Sequence, residues 1–384
     1  MPSYKGRIVI AGVAESDYGR VPHLTELELH AQALQRVLEE SGARKQDIDG
    51  VFCSSHMMGM PTVMLCEYLQ MFPRYSDSTT IGGSSFEAHL NHAVAAMRAG
   101  KCEMALISYG STQLSSRGRV LGTGGRPATI PESTYESPYG NVLVGAYAMA
   151  ARRHMHQFGT TSEQLAEIAV VTRRHAGLNP LAMYREPITV QDVLNSRMIA
   201  DPLHLLDCCV VSDGGGTVLV TTEERARDLR QLPIYVLGSS EGHTHAHISQ
   251  MPDLTVTPAA MTGPRAFAEA GVSPEDIDMA MIYDSFTITV LLLLEDLGFC
   301  KKGEGGAFVQ GGRIALGGQL PINTDGGGLS SNHPGMRGIF LIIEAVRQLR
   351  GQCGARQVEG AKLAVAHGSG GLLSSQATTI LSSI

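Results

Sequence analysis

The run Asn323-Thr324-Asp325-Gly326-Gly327-Gly328-Leu329-Ser330-Ser331-Asn332-His333-Pro334-Gly335-Met336-Arg337-Gly338 decides the fold of this chain. Three successive glycines open backbone angles closed to other residues and let the chain pass close against a neighbour. Behind them Ile339, Phe340, Ile343, Val346 and Leu349 recur at helical spacing, and Arg347, Arg350 and Gly351 supply C-terminal signals, so a helix is expected to begin here. That spacing sets His333 at the helix N-terminus, where unpaired N–H groups and the positive end of the dipole favour developing negative charge and disfavour an imidazolium. A neutral histidine in that position is a base or a hydrogen-bond donor; the plain alternative is a turn histidine capping a helix.

Outward from this run, the composition bounds the architecture. A chain of 384 residues with 43% hydrophobic content, 44 glycines and only 17% charged residues has a heavily buried interior with many tight turns, as layered α/β folds require. Tryptophan is absent, so Leu, Val, Ile, Ala and Met fill the core. The net charge of −7, with no Lys/Arg-rich run, argues against a nucleic-acid surface. Seven cysteines contain no CxxC and no metal-ligand spacing, and with no secretory signal they read as reduced thiols in a cytoplasm. No apolar run reaches membrane-spanning length; the strongest, 288–294, ends at Glu295 and Asp296.

In chain order, strands are expected at 7–13, 51–54, 103–109, 217–222, 234–239 and 279–284, with a helix opened by Thr25 and Glu28 and closed by Ser41-Gly42. Ser84 or Ser85 starts a helix that buries Phe86, Leu90, Ala93, Val94 and Met97. Residues 111–141 have no sustained period, and a loop of that length is expected to serve as a lid or substrate-lining insertion. The second half repeats the first. Ser41-Gly42 followed by Asp47-Ile48-Asp49 and a strand matches Ala270-Gly271 followed by Asp276-Ile277-Asp278 and a strand, 229 residues on. The helix end before EMALISYGS (103–111) has its counterpart before KLAVAHGSG (362–370). Self-similarity at this period indicates two duplicated α/β halves, 1–230 with an insertion at about 111–200, and 231–384. A pseudo-twofold between them would bring the helix starts near 83–86 and 333–336 to one site.

Several segments together give this chain a family likeness: DIDGVF (47–52), FGTTSEQLAEIAVVTRRHAGLNP (158–180), PLHLLDCCVVSDGGG (202–216), YDSFT (283–287), GEGGAFVQGG (303–312), NTDGGGLSSNHPGMRG (323–338) and HGSGG (367–371). In this order, across nearly the whole chain, it resembles the thiolase superfamily, and within it the sterol-carrier or lipid-transfer type. The resemblance implies a five-layer α/β/α/β/α fold of two duplicated halves, a homodimer, acyl-CoA thioester substrates, chemistry at the carbon α to the thioester, and no cofactor beyond the coenzyme A of the substrate. It sets His333 in the place of the activating histidine, His367 in that of the proton shuttle, and Tyr283 where the family has an Asn or His, followed by the retained Asp284 and Phe286. Gly328, Ser369, Gly370 and His56 are expected to line the ligand.

The departure from the family is at the nucleophile. Counting back along the helix puts Gly83 in the place of the reactive cysteine, with Ser84 next, and the nearest thiols, Cys66 and Cys102, flank the loop and helix. A serine needs a strong general base where a cysteine is already partly ionised. An acyl-cysteine cycle is therefore not expected. What remains is an enolate hole made by N–H groups at Gly83, Ser84 and Gly370 with His333 or Tyr283, each well-placed donor being worth roughly 3–4 kcal/mol. A retro-aldol cleavage needs that hole and a base, and no covalent intermediate. Aldolases of this superfamily pair with a small OB-fold or zinc-ribbon protein, so such a partner is expected. The alternatives are an acyltransferase with Ser84 as nucleophile, and a non-catalytic acyl-CoA-binding subunit. Two features have plainer readings: Ser84 with Glu87 as a capping box, and Asp284 as a helix N-cap or orienting group. His243, His245 and His247 alternate but lack the carboxylate or cysteine support of a metal site.

Overall fold

Strand β1 (Ile8–Glu15) is an apolar run buried on both faces, as a strand covered by helices on each side must be. Residues 6–117, 135–140 and 143–384 are described by the computed structural model; most of the expected 111–141 lid lies outside the described residues. Helix α1 (Glu26–Ser41) opens with the Thr25–Glu28 capping box and closes on Gly42 at φ 75°. There follow β2 (Gly50–Cys53), α2 (Pro61–Leu69), β3 (Tyr75–Asp77), α3 (Ser85–Arg98) and β4 (Met104–Ser111). The insertion contributes α4 (Leu143–Phe158), α5 (Ser162–Gly177) and the small hairpin β5 (Met198–Ala200) and β6 (Leu203–His204). The cap of α5 is a box of Thr161 with Gln164. After β7 (Gly214–Thr222), the second half runs β8 (Ile234–His243), α6 (Ala259–Ala270), β9 (Met279–Ile282), α7 (Thr287–Asp296), α8 (Gly338–Leu349), β10 (Leu363–Gly370) and β11 (Ser375–Ser382).

Nine strands form a mixed sheet in the order β3-β2-β4-β7-β1-β8-β11-β10-β9. The order is two equivalent sets joined at β1 and β8, which share only the pairs Val9–Tyr235 and Ile10–Ile234. A parallel bridge from Ala280 to Ile322 adds to the second set what β3 adds to the first. Helix α1 packs on β1, β7 and β4, and α6 on β8 and β11, forming the outer layers. Between the two halves lie α3 and α8, which touch strands of both. Helix α8 is buried around nearly its whole circumference, and its polar side is satisfied inside the fold, Glu344 pairing with Arg356 and Thr324 and Gln348 donating to Thr324 Oγ1. The five-layer arrangement expected from the resemblance is thus present.

The duplication holds at the level of single hydrogen bonds. Gly42 and Gly271 both close outer helices in the left-handed conformation, at φ 75° and 70°. Asp49 Oδ1 accepts from the N–H groups of Glu103 and Met104 at 2.8 and 2.9 Å, and Asp278 Oδ2 accepts from Lys362 and Leu363 at 2.7 and 2.9 Å. Each aspartate fastens the start of one strand to the start of its parallel neighbour. Strand β11 was not foreseen, because Ser375-Gln-Ala-Thr-Thr-Ile-Leu-Ser lacks an apolar pattern, yet it is buried throughout between β8 and β10. Its polar groups are paired inside the fold: Thr378 Oγ1 lies 2.8 Å from Thr262 Oγ1 on α6, and Gln376 Nε2 donates to Ser369 Oγ at 3.0 Å.

Replacing either Asp49 or Asp278 by alanine strands two backbone donors. Each change is expected to cost about 1–3 kcal/mol in urea unfolding, and the double variant to lose the sum within about 0.5 kcal/mol, since the two sites share no partner.

Candidate active site

The glycine-rich run is held in place residue by residue. Asn323, at φ 46°, turns the chain away from β9 while its side chain exchanges two hydrogen bonds of 2.8 Å with the backbone of Ile282, as a neighbouring strand would. Gly327 must lack a side chain, because a Cβ there would sit 2.0 Å from Asp284 Oδ2, and its φ is +58°. Residues Gly327–Ser331 form a single π-helical turn, a deformation common at functional sites. The insertion clamps this turn from outside: Asn179 Nδ2 donates to Asp325 O at 2.8 Å and Arg173 Nε to Ser330 Oγ at 2.8 Å. From the other side, Val210 N donates to Gly328 O and His333 N to Ser212 Oγ at 3.0 Å. Beyond His333, the Tyr109 hydroxyl donates to Pro334 O and accepts from Met336 N, fixing the turn into α8.

Helix α8 begins at Gly338, so His333 is not at a helix N-terminus but five residues before one. The expected neutral imidazole is nonetheless present, for a different reason. Burial first, then the positive charge of Arg337, pushes the His333 pKa down to about 3. Its Nε2 lies 3.0 Å from the Tyr283 hydroxyl, which also accepts the Arg337 N–H at 3.2 Å. Burial pushes the Tyr283 pKa well up, so the free phenol holds its proton. The Tyr283 ring occupies the space that a side chain at position 83 would need: a Cβ on Gly83 would come within 2.3 Å of Cε2, Cζ and Oη. The tyrosine hydroxyl therefore stands where a thiol at position 83 would project. The two central helix starts do meet, since a Cβ on Gly338 would lie 2.3 Å from Gly83 O.

Arg337 is the largest fully buried side chain among the described residues. It pairs with Asp325 through Nη2 and donates from Nε to Asn332 O at 3.0 Å. Burial opposes its charge, but Asp325 and then Asp284 outweigh that, so the guanidinium stays protonated. Asp284 accepts from Gly328 N at 2.7 Å and Leu329 N at 3.2 Å, and burial raises its pKa to about 6. It orients the glycine turn and caps no helix, for α7 is preceded by Phe286. On α3, the expected Ser84–Glu87 capping box does not form. Ser84 Oγ donates to Ile81 O at 3.1 Å and lies 2.8 Å from Ser375 Oγ, which contacts His243 Nδ1 at 3.0 Å. Glu87 is buried with both oxygens unpartnered, and burial raises its pKa to about 8 against the lowering effect of Arg337.

The sequence-predicted residues thus divide. Tyr283, His333, Gly83 and Asp284 come together, and Gly370 packs beside them, where a Cβ would strike Ile81 O at 1.8 Å and Ser84 Oγ at 2.9 Å. Gly328 lies against His333, but Asp284 and Val210 take up its N–H and C=O. His56 borders the His333 turn, with a Cβ on Gly335 falling 2.5 Å from its ring, and its Nε2 lies 2.9 Å from Gln113 Oε1. His367 is not brought in. Its nitrogens bond Thr378 Oγ1 and Gln376 Oε1, both at 2.9 Å, on the sheet face covered by α6. Strand alternation gives the face toward α3 to Gly368 and Gly370 instead, and Ser369, bonded to Gln376, shares the outer face with His367. The buried Cys209 thiol is pushed well above its ordinary pKa by burial, then by Cys208 and Asp284, so it is no thiolate. His243 and His245 turn to Ser375 and Leu372 O and share no ligand point. Arg337, Tyr109, Ser212, Asn323 and Glu87 were missed. Of these only Arg337, the one cation in a glycine-rich run that also holds Asp325, carried a signal.

Residues 240–383 match the family model described as thiolase C-terminal domain-like. The chain is 32% identical to an acetyl-CoA acetyltransferase of Methanothermobacter thermautotrophicus, over 98% of this chain and 99% of the relative. It is 34% identical to a steroid side-chain-cleaving aldolase of Thermomonospora curvata, over 90% and 91% of the two chains. Among solved structures, that titled Ltp2-ChsH2(DUF35) aldolase superposes with a TM-score of 0.88 at 32% identity, covering 98% of this chain and 97% of the other.

Two substitutions test this geometry. Gly83→Ala is expected to lose about 1–3 kcal/mol through overpacking, and to lose nothing further when introduced into Tyr283→Ala, as thermal melts of the four proteins will report. Glu87→Gln acts through linkage. Between its ordinary pKa of 4.5 and about 8 the native chain retains a proton that the unfolded chain has released, so stability falls as pH rises through that window. The glutamine variant is expected to gain about 3 kcal/mol at pH 7 and nothing below about pH 4.5.

Proposed function

Because this chain belongs to the thiolase superfamily, in its sterol-carrier-type branch, we propose that it is an acyl-CoA carbon–carbon lyase that cleaves a β-hydroxyacyl-CoA by retro-aldol chemistry. The observation that carries this reading is the exclusion of any side chain at position 83 by a tyrosine hydroxyl bonded to a neutral histidine. No acyl-enzyme can form at that position, while a proton-transfer pair faces the place of the missing thiol.

In this route the Tyr283 oxygen takes the proton of the β-hydroxyl as its own proton passes to His333 Nε2. The Cα–Cβ bond breaks, its electron pair moves into the thioester as an enolate, and the β-carbon leaves as a carbonyl. The proton then returns through Tyr283 to Cα, so the cycle consumes no net proton. N–H groups of Gly83, Ser84 and Gly370 receive the enolate oxygen, and the imidazolium that forms transiently is offset by the enolate charge. His367 takes no part. The acyltransferase reading draws on the acetyltransferase relative, but the hydroxyl it would need, Ser84 Oγ, is buried and already engaged with Ile81 and Ser375.

The free state of all seven cysteines supports a reducing, cytoplasmic location. A second copy is supported by α2 and the residues flanking it, where Met60, Val63, Met64, Tyr68 and Phe72 are exposed, Phe72 by 91%, in the segment that leads into the edge strand β3. A small OB-fold or zinc-ribbon partner finds support in the aldolase complex that this fold resembles.

Purified protein given β-hydroxyacyl-CoA, with and without a co-encoded OB-fold protein, is expected to release a carbonyl product and a shortened acyl-CoA. Tyr283→Phe is expected to slow this by about 10²–10⁴-fold. Thiolysis of a 3-ketoacyl-CoA without such cleavage would reverse the reading. In sedimentation, a Val63→Asp/Phe72→Asp variant is expected to run as a monomer where the parent runs as a dimer.

A further inference from the structure

Glu87 is the buried acid that the route above leaves unused. It lies one helical turn beyond Gly83 on α3, and neither carboxyl oxygen has a hydrogen-bond partner. Two glycines make room for it: a Cβ on Gly368 would come within 2.1 Å of Oε2, and one on Gly338 within 2.3 Å. The segment leading into α8 presents one charge to this carboxyl, Arg337, and among the described residues no other charge acts on it from β10 or from its own helix. Arg337 in turn faces Asp325, Asp284 and Tyr283, and its Nη1 is unpartnered. A carboxyl that forms no bond and costs stability has no packing rationale that a glutamine would not meet equally well.

We propose that Glu87, in its neutral form, is a positioning residue for the enolate site: it adds no further anion around Arg337, whose charge Asp325 already pairs, and its ionisation next to Gly83 and Ser84 opposes enolate formation. This rests on the enolate reading of the site. The same buried acid that weakens the fold at neutral pH thereby sets the alkaline limit of the reaction.

The test follows kcat/KM for β-hydroxyacyl-CoA cleavage and, separately, exchange of the α-hydrogens of the shortened acyl-CoA in deuterated water, from about pH 6 to about pH 10. The parent protein is expected to lose activity in both assays above about pH 8, and Glu87→Gln to keep it, exceeding the parent about tenfold one pH unit higher. Infrared difference spectra at neutral pH are expected to show a protonated carboxyl in the parent that is absent from Glu87→Gln. An alkaline limb unchanged in Glu87→Gln, or no such carboxyl band, would overturn the role of Glu87 while leaving the enolate chemistry intact. A parent protein that neither cleaves nor exchanges would overturn the enolate reading, and this inference with it.

Discussion

A single buried cation, Arg337, organises the centre of this protein. It reaches Asp325 and the Asn332 carbonyl within its own loop, and its backbone N–H supports the Tyr283 hydroxyl. Burying an ion pair is costly unless the remaining groups are satisfied, and removing one partner costs more than the pair contributes. Here the surrounding carboxylates hold the guanidinium charged, and that charge joins burial in keeping His333 neutral. One side chain thus fixes the path of the glycine run, the position of the tyrosine hydroxyl and the protonation state of the imidazole.

The duplicated halves divide their strand faces in the same way, and this division selects which residues reach the centre. In β4, Ser108 turns outward to His30 on α1, while Tyr109 turns inward to the His333 turn. In β10 the equivalent pair is His367, turned outward, and Gly368, turned inward against α3. Where the first half supplies a tyrosine to hold the second half's loop, the second half supplies a glycine that makes room for a carboxylic acid of the first. The two inward positions are equivalent in topology and opposite in chemistry.

Stability and chemistry pull in different directions around this centre. Gly327, Gly338 and Gly368 forgo side chains so that Asp284 and Glu87 can approach closely. The Glu87 carboxyl has no hydrogen-bond partner. Unpartnered buried groups are rare in native proteins, so their concentration at His333 Nδ1, Asn332 Oδ1, Arg337 Nη1 and both Glu87 oxygens marks the region as built for something other than stability.

The fold was legible because its signals are local or periodic. The repeat of Ser41-Gly42 and Asp47-Ile48-Asp49 in Ala270-Gly271 and Asp276-Ile277-Asp278 encodes two left-handed helix caps and two strand-fastening aspartates, and each works through residues a few positions away or on the next strand. The glycine run, the strand before Tyr283 and the missing cysteine at position 83 could likewise be read directly. Strand β11 could not, because its serines and threonines find their partners on α6 and β10, far off in the chain. Nor could the placement of His367, whose motif position said nothing of which sheet face it would take. The chain itself determined the duplicated architecture, the histidine and tyrosine at the centre, and the absence of a thiol. Only the packing of one half against the other decided that the Tyr283 ring fills the thiol's space, that Arg337 and burial together leave His333 uncharged, and that Glu87 stands bondless between two glycines. Burial and close approach are properties of facing surfaces, and no local pattern of residues records what lies on the other side.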